Sequence, residues 1–316
     1  KDTKVTPRIA ETAKALWYIY FMLTSACALA YYFAGMDAFD AICHSFSTIA
    51  IGGFSTHDAS MGYFQSPLIN VICAIFLLIA AVNFSLHFAA FTRRGINVKV
   101  YLKDAEFRVI IAIQLVLTAI CFITLYQSGI YDTPEKTLDY AFFQVVSIST
   151  TAGFGTESFH SWPLFLPILL IFSSFIGGCA GSTGGGIKVI RFILLILQGS
   201  RELKRLVHPK ALYSIKIGST ALPDRIIDAV WGFFSAYALV FVVCMVILMA
   251  LDMDAITAFS ATAASINNLG PGLGDVASNY ASISDGAKWV LVMAMLFGRL
   301  EVFTLLVLFT PTFWKN

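Results

Sequence analysis

Three stretches of this 316-residue chain carry residue types suited to handling a bare ion. "AICHSFSTIAIGGFST" from Ala41, "AFFQVVSISTTAGFGT" from Ala141 and "AFSATAASINNLGPGL" from Ala258 align without gaps, and the shared frame puts Gly53, Gly153 and Gly270 in register. Glycine reaches backbone angles closed to other residues and lets segments approach with carbonyls turned inward, where a ring of carbonyls replaces a cation's water. The candidate lining is therefore Ala50-Ile51-Gly52-Gly53, Thr150-Thr151-Ala152-Gly153 and Asn267-Asn268-Leu269-Gly270. One glycine per strand is shared, so register matters more than side-chain identity. The alternative is ordinary loop punctuation, against which three glycines in one frame argue. The absence of TVGYG excludes the tetrameric potassium channel proper and points to a shorter ion-discriminating segment.

A second glycine-rich run, "FIGGCAGSTGGGIKVIR" from Phe175 to Arg191, interrupts an apolar segment. Glycine costs about 1 kcal/mol per residue in a helix interior, so this run predicts a loop. Two enzyme chemistries compete for it. A phosphate-cradling loop needs G-x-x-x-x-G-K-[ST], but Lys188 lies out of frame between Ile187 and Val189, and no strand is expected before it. "AGSTG" falls short of G-x-S-x-G, with Ala180 in place of the first glycine and no identifiable histidine-acid pair. The expectation is a non-enzyme with no cofactor of its own. His44, His57, His87, His160 and His208 never cluster at metal-ligand spacing, and His57, beside Asp58, reads as solvated or hydrogen-bonded. Cys27, Cys43, Cys73, Cys121, Cys179 and Cys244 sit singly in apolar segments and read as packing residues.

The elements that must position these groups follow from composition. With 58% apolar and 13% charged residues the chain is a membrane protein whose partner is the lipid bilayer, and a net charge of +2 offers no basic face for nucleic acid. Apolar runs cover Ala13–Phe33, Leu68–Phe91, Val109–Tyr126, Leu164–Ile176 with Val189–Leu197 beyond the glycine break, Ile226–Leu251 and Trp289–Phe309. Between the two long runs of each cycle lies a segment about half a bilayer long, Phe39–Ala50, Leu138–Thr150 and Ala255–Asn267, which predicts re-entrant half-helices. Lys and Arg crowd the connections between cycles (Arg93, Arg94, Lys99, Lys103; Arg201, Lys204, Arg205, Lys210, Lys216), so the acidic within-cycle loops face outward. Those acids either focus cations at the mouth or are plain surface acids. A half-helix entering from outside aims its negative C-terminal end at the membrane centre, which favours a cation, and non-helical backbone at that depth lines a cavity.

The glycine break has no comparable run in the other cycles, which suggests a gate beneath the lining; the alternative is a packing kink. Arg299 in "LFGRLEVF" lies about 16 Å along a helix from Lys288 and farther from Lys315, so its side chain is expected in the bundle interior or the pore. Glu301, two residues along, projects from a different face, whereas carbonyls of a loop at Gly178 to Gly186 suit a guanidinium. The alternative is a structural arginine tying two helices together.

"STIAIGGFSTHD", "STTAGFGTESFHSWP", "GGCAGSTGGGIKVIR" and "NNLGPGLGD", in that order, make the chain resemble the Trk-type potassium uptake proteins, the TrkH family of the Trk/Ktr/HKT superfamily, over essentially its whole length. The resemblance implies an all-α polytopic membrane protein of helix, re-entrant pore helix, filter strand and helix units, arranged with pseudo-fourfold symmetry around a pore. It implies K+ preferred over Na+ at the aligned loops. The match is to the second, third and fourth repeats, giving 1–91, 92–200 with the intramembrane loop 177–187, and 201–316. A missing first repeat and the opening Lys1, with no signal peptide, suggest a piece of a longer protein. The gate would comprise Gly177, Gly178, Gly181, Ser182, Thr183, Gly184, Gly185, Gly186 and Lys188, with Arg299 facing the pore. The family further implies a homodimer in the bacterial inner membrane, seated on a cytosolic TrkA-like ring that binds the nucleotide. The basic stretches are the docking candidates, or they simply obey the positive-inside rule. Two other functions stay open: a Na+-permeable or cation-coupled symporter, and a non-transporting scaffold, which would not need three aligned glycine strands.

Overall fold

The structure, a computed structural model, describes residues 5–92, 95–163, 165–218, 220–300, 302–308 and 310–314. Arg93, Arg94, Leu164, Glu301, Phe309 and Lys315, used in the sequence argument, lie outside them. The first cycle comprises α1 (Val5–Phe33), α2 (Ala38–Ile49), α3 (Pro67–Ala81) and α4 (Phe84–Ala90). After a short α5 (Lys99–Lys103) the second runs through α6 (Ala105–Ser128), α7 (Pro134–Ser149), α8 (Leu166–Ser174) and α9 (Val189–Val207). The third holds α10 (Asp224–Ala250), α11 (Ala255–Ile266), α12 (Asp285–Arg299), α13 (Val302–Leu308) and a final turn α14 (Pro311–Trp314). Both basic connections fold back on a two-residue antiparallel ladder, Phe91–Thr92 with Gly95–Ile96 and Lys216–Ile217 with Thr220–Ala221.

α1, α6 and α10 are long and apolar enough to cross a bilayer. They expose large apolar side chains such as Phe21, Leu115, Ile123, Leu239 and Val243, as lipid-facing helices must. The half-helices α2, α7 and α11 are only 12, 16 and 12 residues long, and most of α7 and α11 is buried. Each begins at a polar cap. Asp37 accepts from the Asp40 amide, Thr133 from that of Lys136 ahead of Pro134, and Asp254 from those of Ile256 and Thr257.

The second long run of every cycle is broken, not only the glycine-rich one. α3 and α4 meet at 94°, α12 and α13 at 112°, and the glycine run separates α8 from α9. The runs Leu68–Phe91 and Trp289–Phe309, expected as continuous helices, are therefore each broken, though neither break holds a glycine-rich run like that at 177–186. Asn83 makes the first bend by accepting from the Ser85 amide at 2.8 Å and so starting a new helix. Near the third, Gly298 lies so close to the C-terminal end of α11 that any Cβ there would overlap the Ile266 carbonyl oxygen.

The chain gathers into two compact units, residues 1–163 with 178–184, and residues 164–177 with 185–316. In the first, α3 packs on α7; in the second, α8 packs on α11. In both, the second helix of one cycle lies against the half-helix of the next, so compact units are offset from the topological repeats.

Candidate functional site

Every half-helix ends in the same hydrogen-bonded device. Gly52 N donates to Ser47 O at 2.7 Å and Ile51 N to Thr48 O at 3.1 Å; Ala152 N to Ser147 O at 2.8 Å and Thr151 N to Ile148 O at 3.0 Å; Leu269 N to Ala264 O at 2.8 Å and Asn268 N to Ser265 O at 3.0 Å. This paired closure is a Schellman motif, whose terminating residue is usually glycine because it must be left-handed. Here Ile51 (φ 51°), Thr151 (φ 69°) and Asn268 (φ 56°) fill that position. Left-handed backbone costs a side-chain-bearing residue about 1–2 kcal/mol, and β-branched Ile and Thr fit it worst. Two residues later Gly53 (φ 68°), Gly153 (φ 83°) and Gly270 (φ 101°) are left-handed as well. The sequence pointed to the glycines but gave no sign of the strained residue before them, since only Asn268 is of a type that tolerates αL.

Gly53 needs its hydrogen twice over, since any Cβ would overlap the Ala152 carbonyl oxygen of the neighbouring loop. The same two loops are joined farther along by Gly62 N to Gly155 O at 3.0 Å and Gly155 N to Ser60 Oγ at 3.2 Å. Gly270 has nothing within 4 Å of a built Cβ, and its carbonyl accepts from Tyr280 Oη at 2.7 Å, leaving one lone pair.

Several side chains along the candidate lining turn to the scaffold. Thr150 Oγ1 bonds Val146 O at 2.7 Å, Asn267 Nδ2 bonds Ser174 Oγ at 2.9 Å, and Asn268 Nδ2 bonds Met295 O at 3.3 Å. These three side chains are therefore held by the scaffold.

Three positioning residues escaped the sequence reading. From the first long helix of each cycle a buried polar side chain reaches the end of the half-helix: Tyr31 Oη to Thr48 Oγ1 at 2.8 Å, Gln114 Nε2 to Ser149 Oγ at 2.5 Å, and Tyr237 Oη to Asn267 Oδ1 at 2.5 Å. The available signal was Gln114 alone within "IAIQLVL", because an amide inside an apolar span needs a partner. Beyond Gly53 the chain is tied back to α2: Thr56 Oγ1 donates to Asp40 Oδ1 at 2.6 Å, and His57 Nε2 lies 2.8 Å from Asp40 Oδ2. The partner of His57 is thus Asp40, seventeen residues away, while Tyr63 stacks on its ring at 3.5 Å.

The glycine run is non-helical from Phe175 to Lys188. In the first unit its 178–184 portion fits the break between α3 and α4, with Cys179 N on Ala81 O at 2.8 Å and Phe84 N on Gly181 O at 3.1 Å. Ala180 N donates to Glu106 Oε2 at 2.8 Å, and Ser182 Oγ closes the turn on Cys179 O. Thr183 Oγ1 donates to Ile49 O at 2.9 Å, and a Cβ on Gly184 would come 3.0 Å from Thr150 O. The loop therefore lies at the carbonyl ends of α2 and α7. In the second unit the neck closes through Ile187 N on Phe175 O at 2.9 Å and Lys188 N on Ile176 O at 3.1 Å. Gly177 there abuts Gly185, Gly186 abuts Ser174, and Lys188 has φ 85°. Arg299 is exposed and is the last residue of α12, at a bend rather than midway along a straight span. Of the basic docking candidates, Arg201 is buried and paired with Asp224 at 2.6 Å, which gives it a structural task.

Residues 1–316 match the TrkH family, described as a cation transport protein. The chain is 67% identical over its whole length to the Trk system potassium uptake protein TrkH of Vibrio parahaemolyticus and covers 65% of that protein. It is 64% identical to TrkH of Escherichia coli K12, again over 65% of that protein, and 39% identical to TrkG of the same strain. The crystal structure of the potassium transporter TrkH from Vibrio parahaemolyticus superimposes with a TM-score of 0.94 at 67% identity, covering 99% of this chain and 67% of that one. The chain thus spans about two thirds of the length of its relatives. With its long apolar helices and a family match from end to end, this all-α polytopic membrane protein belongs to the TrkH family of cation transport proteins.

Proposed function

We propose that the protein of which this chain forms part takes up K+ across a bacterial inner membrane, and that residues 50–53, 150–153 and 267–270 are strands of its carbonyl-lined filter. One observation carries the reading. Three half-helices each end in a Schellman turn with a strained left-handed residue, followed by a left-handed glycine, at the end where helix carbonyls gather. Strain repeated at equivalent positions is what a functional backbone stores, and a helix's negative end favours a cation. The relatives' names supply the ion.

The glycine loop reads as the gate: Gly177, Gly178, Gly181, Ser182, Thr183, Gly184, Gly185, Gly186 and Lys188 hold it at the carbonyl ends of the half-helices, with Arg299 as a restraint. The chain binds no nucleotide of its own in this reading. A cytosolic TrkA-like ring carries it, docks on the basic connections of a homodimer and acts on the loop. The repeats, 1–91, 92–200 and 201–316, are the units of the pore.

The full-length protein in proteoliposomes tests the reading. Opposed K+ and Na+ gradients should give a reversal potential near that for K+. A reversal potential that moves with a Na+ or proton gradient at fixed K+ would make it a coupled symporter, and absent K+ flux in folded protein would refute transport.

A further inference from the structure

A cavity of about 650 Å³ lies in the first unit, where the first turns of α7 face the start of α3 and the segments leaving Gly53 and Gly153. It is lined in part by Asn70, Glu135, Lys136, Asp139, Thr156 and Glu157. Asn70 is only 5% exposed, and its Nδ2 donates to Asp139 Oδ2 at 2.8 Å. Asn70 Oδ1, Asp139 Oδ1 and Thr156 Oγ1 are buried and have no hydrogen-bond partner within the chain. The amide and carboxylate oxygens only accept, so they cannot satisfy one another, and a cation is a ligand that acceptor oxygens of this kind can hold.

Charge and donor chemistry narrow the ligand. Glu135, Asp139 and Glu157 against Lys136 leave the lining two charges negative. All three unpartnered atoms are oxygen, the ligand type of hard cations. Among the described residues no three His, Cys, Asp or Glu side chains gather closely enough to hold a metal ion. One inner carboxylate supplemented by neutral oxygens suits a singly charged ion that keeps part of its water. We propose that this cavity binds an alkali cation, K+ in use, at the end of the first unit where the chain leaves the glycine loops. Resting on the K+ reading above, the site is a staging post that raises the cation concentration beside the loops.

Tl+, a K+ surrogate visible by its anomalous scattering, tests this in crystals of the full-length protein. A peak touching Asn70, Asp139 and Thr156 is expected, lost in Asp139→Asn and weakened in Thr156→Val, a near-isosteric change to a hydroxyl that bonds nothing in the chain. In proteoliposomes at low ionic strength, Asp139→Asn should raise the half-saturating Tl+ concentration about two- to fivefold, a shift that shrinks as impermeant salt is added. Water alone in the cavity, a peak that survives Asp139→Asn, or unchanged half-saturation overturns the proposal. A cavity peak without peaks at the glycine loops would uphold this site and overturn the filter assignment instead.

Discussion

Replacing Gly53 with serine puts a Cβ against the Ala152 carbonyl oxygen, and 3.0 Å from that carbonyl's carbon, at a residue whose φ is 68°. Carbon and oxygen in contact want well over 3 Å, so the two loops must part by about 1 Å, on top of about 1–2 kcal/mol for the left-handed serine. Gly270→Ser carries only the backbone cost, since its φ is 101° and nothing lies within 4 Å of the new Cβ. A site that loses about 1.4 kcal/mol of preference for K+ over Na+ discriminates tenfold less. We therefore expect at least a tenfold fall in the K+/Na+ permeability ratio for Gly53→Ser and a smaller fall for Gly270→Ser. Bi-ionic reversal potentials of the full-length protein, with thermal melts to confirm folding, provide the assay. An unchanged ratio in folded Gly53→Ser, or a larger fall in Gly270→Ser, would refute the close-approach argument.

Thr183→Val removes the hydroxyl that ties the glycine loop to Ile49 O, a bond worth about 1 kcal/mol, and, if the loop is the proposed gate, should raise K+ flux through the full-length protein alone several-fold; equal flux would remove Thr183 from that proposal. Tyr237→Phe leaves Asn267 Oδ1 buried without its donor and should cost about 1–3 kcal/mol in unfolding experiments. Gln114→Leu should lower the K+/Na+ ratio as well as stability, because Gln114 braces the end of α7; a loss confined to stability would make it packing only. Asp254 caps α11, and bonds from Thr257 and Ile256 hold its carboxylate below the usual pKa. A depressed pKa stabilises the fold above the unfolded value near 4 and loses that contribution as pH falls through the folded one. Asp254→Ala should accordingly cost about 1 kcal/mol at pH 7 and less at pH 3, read from denaturation midpoints.

Most of the scaffold was legible because bilayer physics writes it in long apolar runs. The half-helix expected over Ala255–Asn267 is α11 to within a residue, and that over Phe39–Ala50 is α2. α7 begins at Pro134 rather than Leu138 because Thr133 and Pro134 start it among polar residues that a hydropathy reading discards. The bends at Asn83 and after Arg299 were hidden: one is a cap that a single asparagine supplies, and the other adjoins Gly298 pressed against a distant carbonyl. Ile51 and Thr151 show the limit most clearly. Their types argue against left-handed backbone, yet the paired hydrogen bonds closing each half-helix and burial of both residues hold them there, so local propensity pointed the other way. His57 is hydrogen-bonded, one of the two readings the sequence offered, but its partner Asp40 lies seventeen residues away, where no sequence pattern marks it.

Anomalous diffraction from crystals of the full-length protein in Rb+ tests the central claim most directly. The account predicts Rb+ density in contact with backbone carbonyl oxygens of residues 50–53, 150–153 and 267–270, displaced by K+ and not by an equal concentration of Na+. Rb+ absent from these loops in protein that transports K+, or held there by side chains instead of carbonyls, would contradict it.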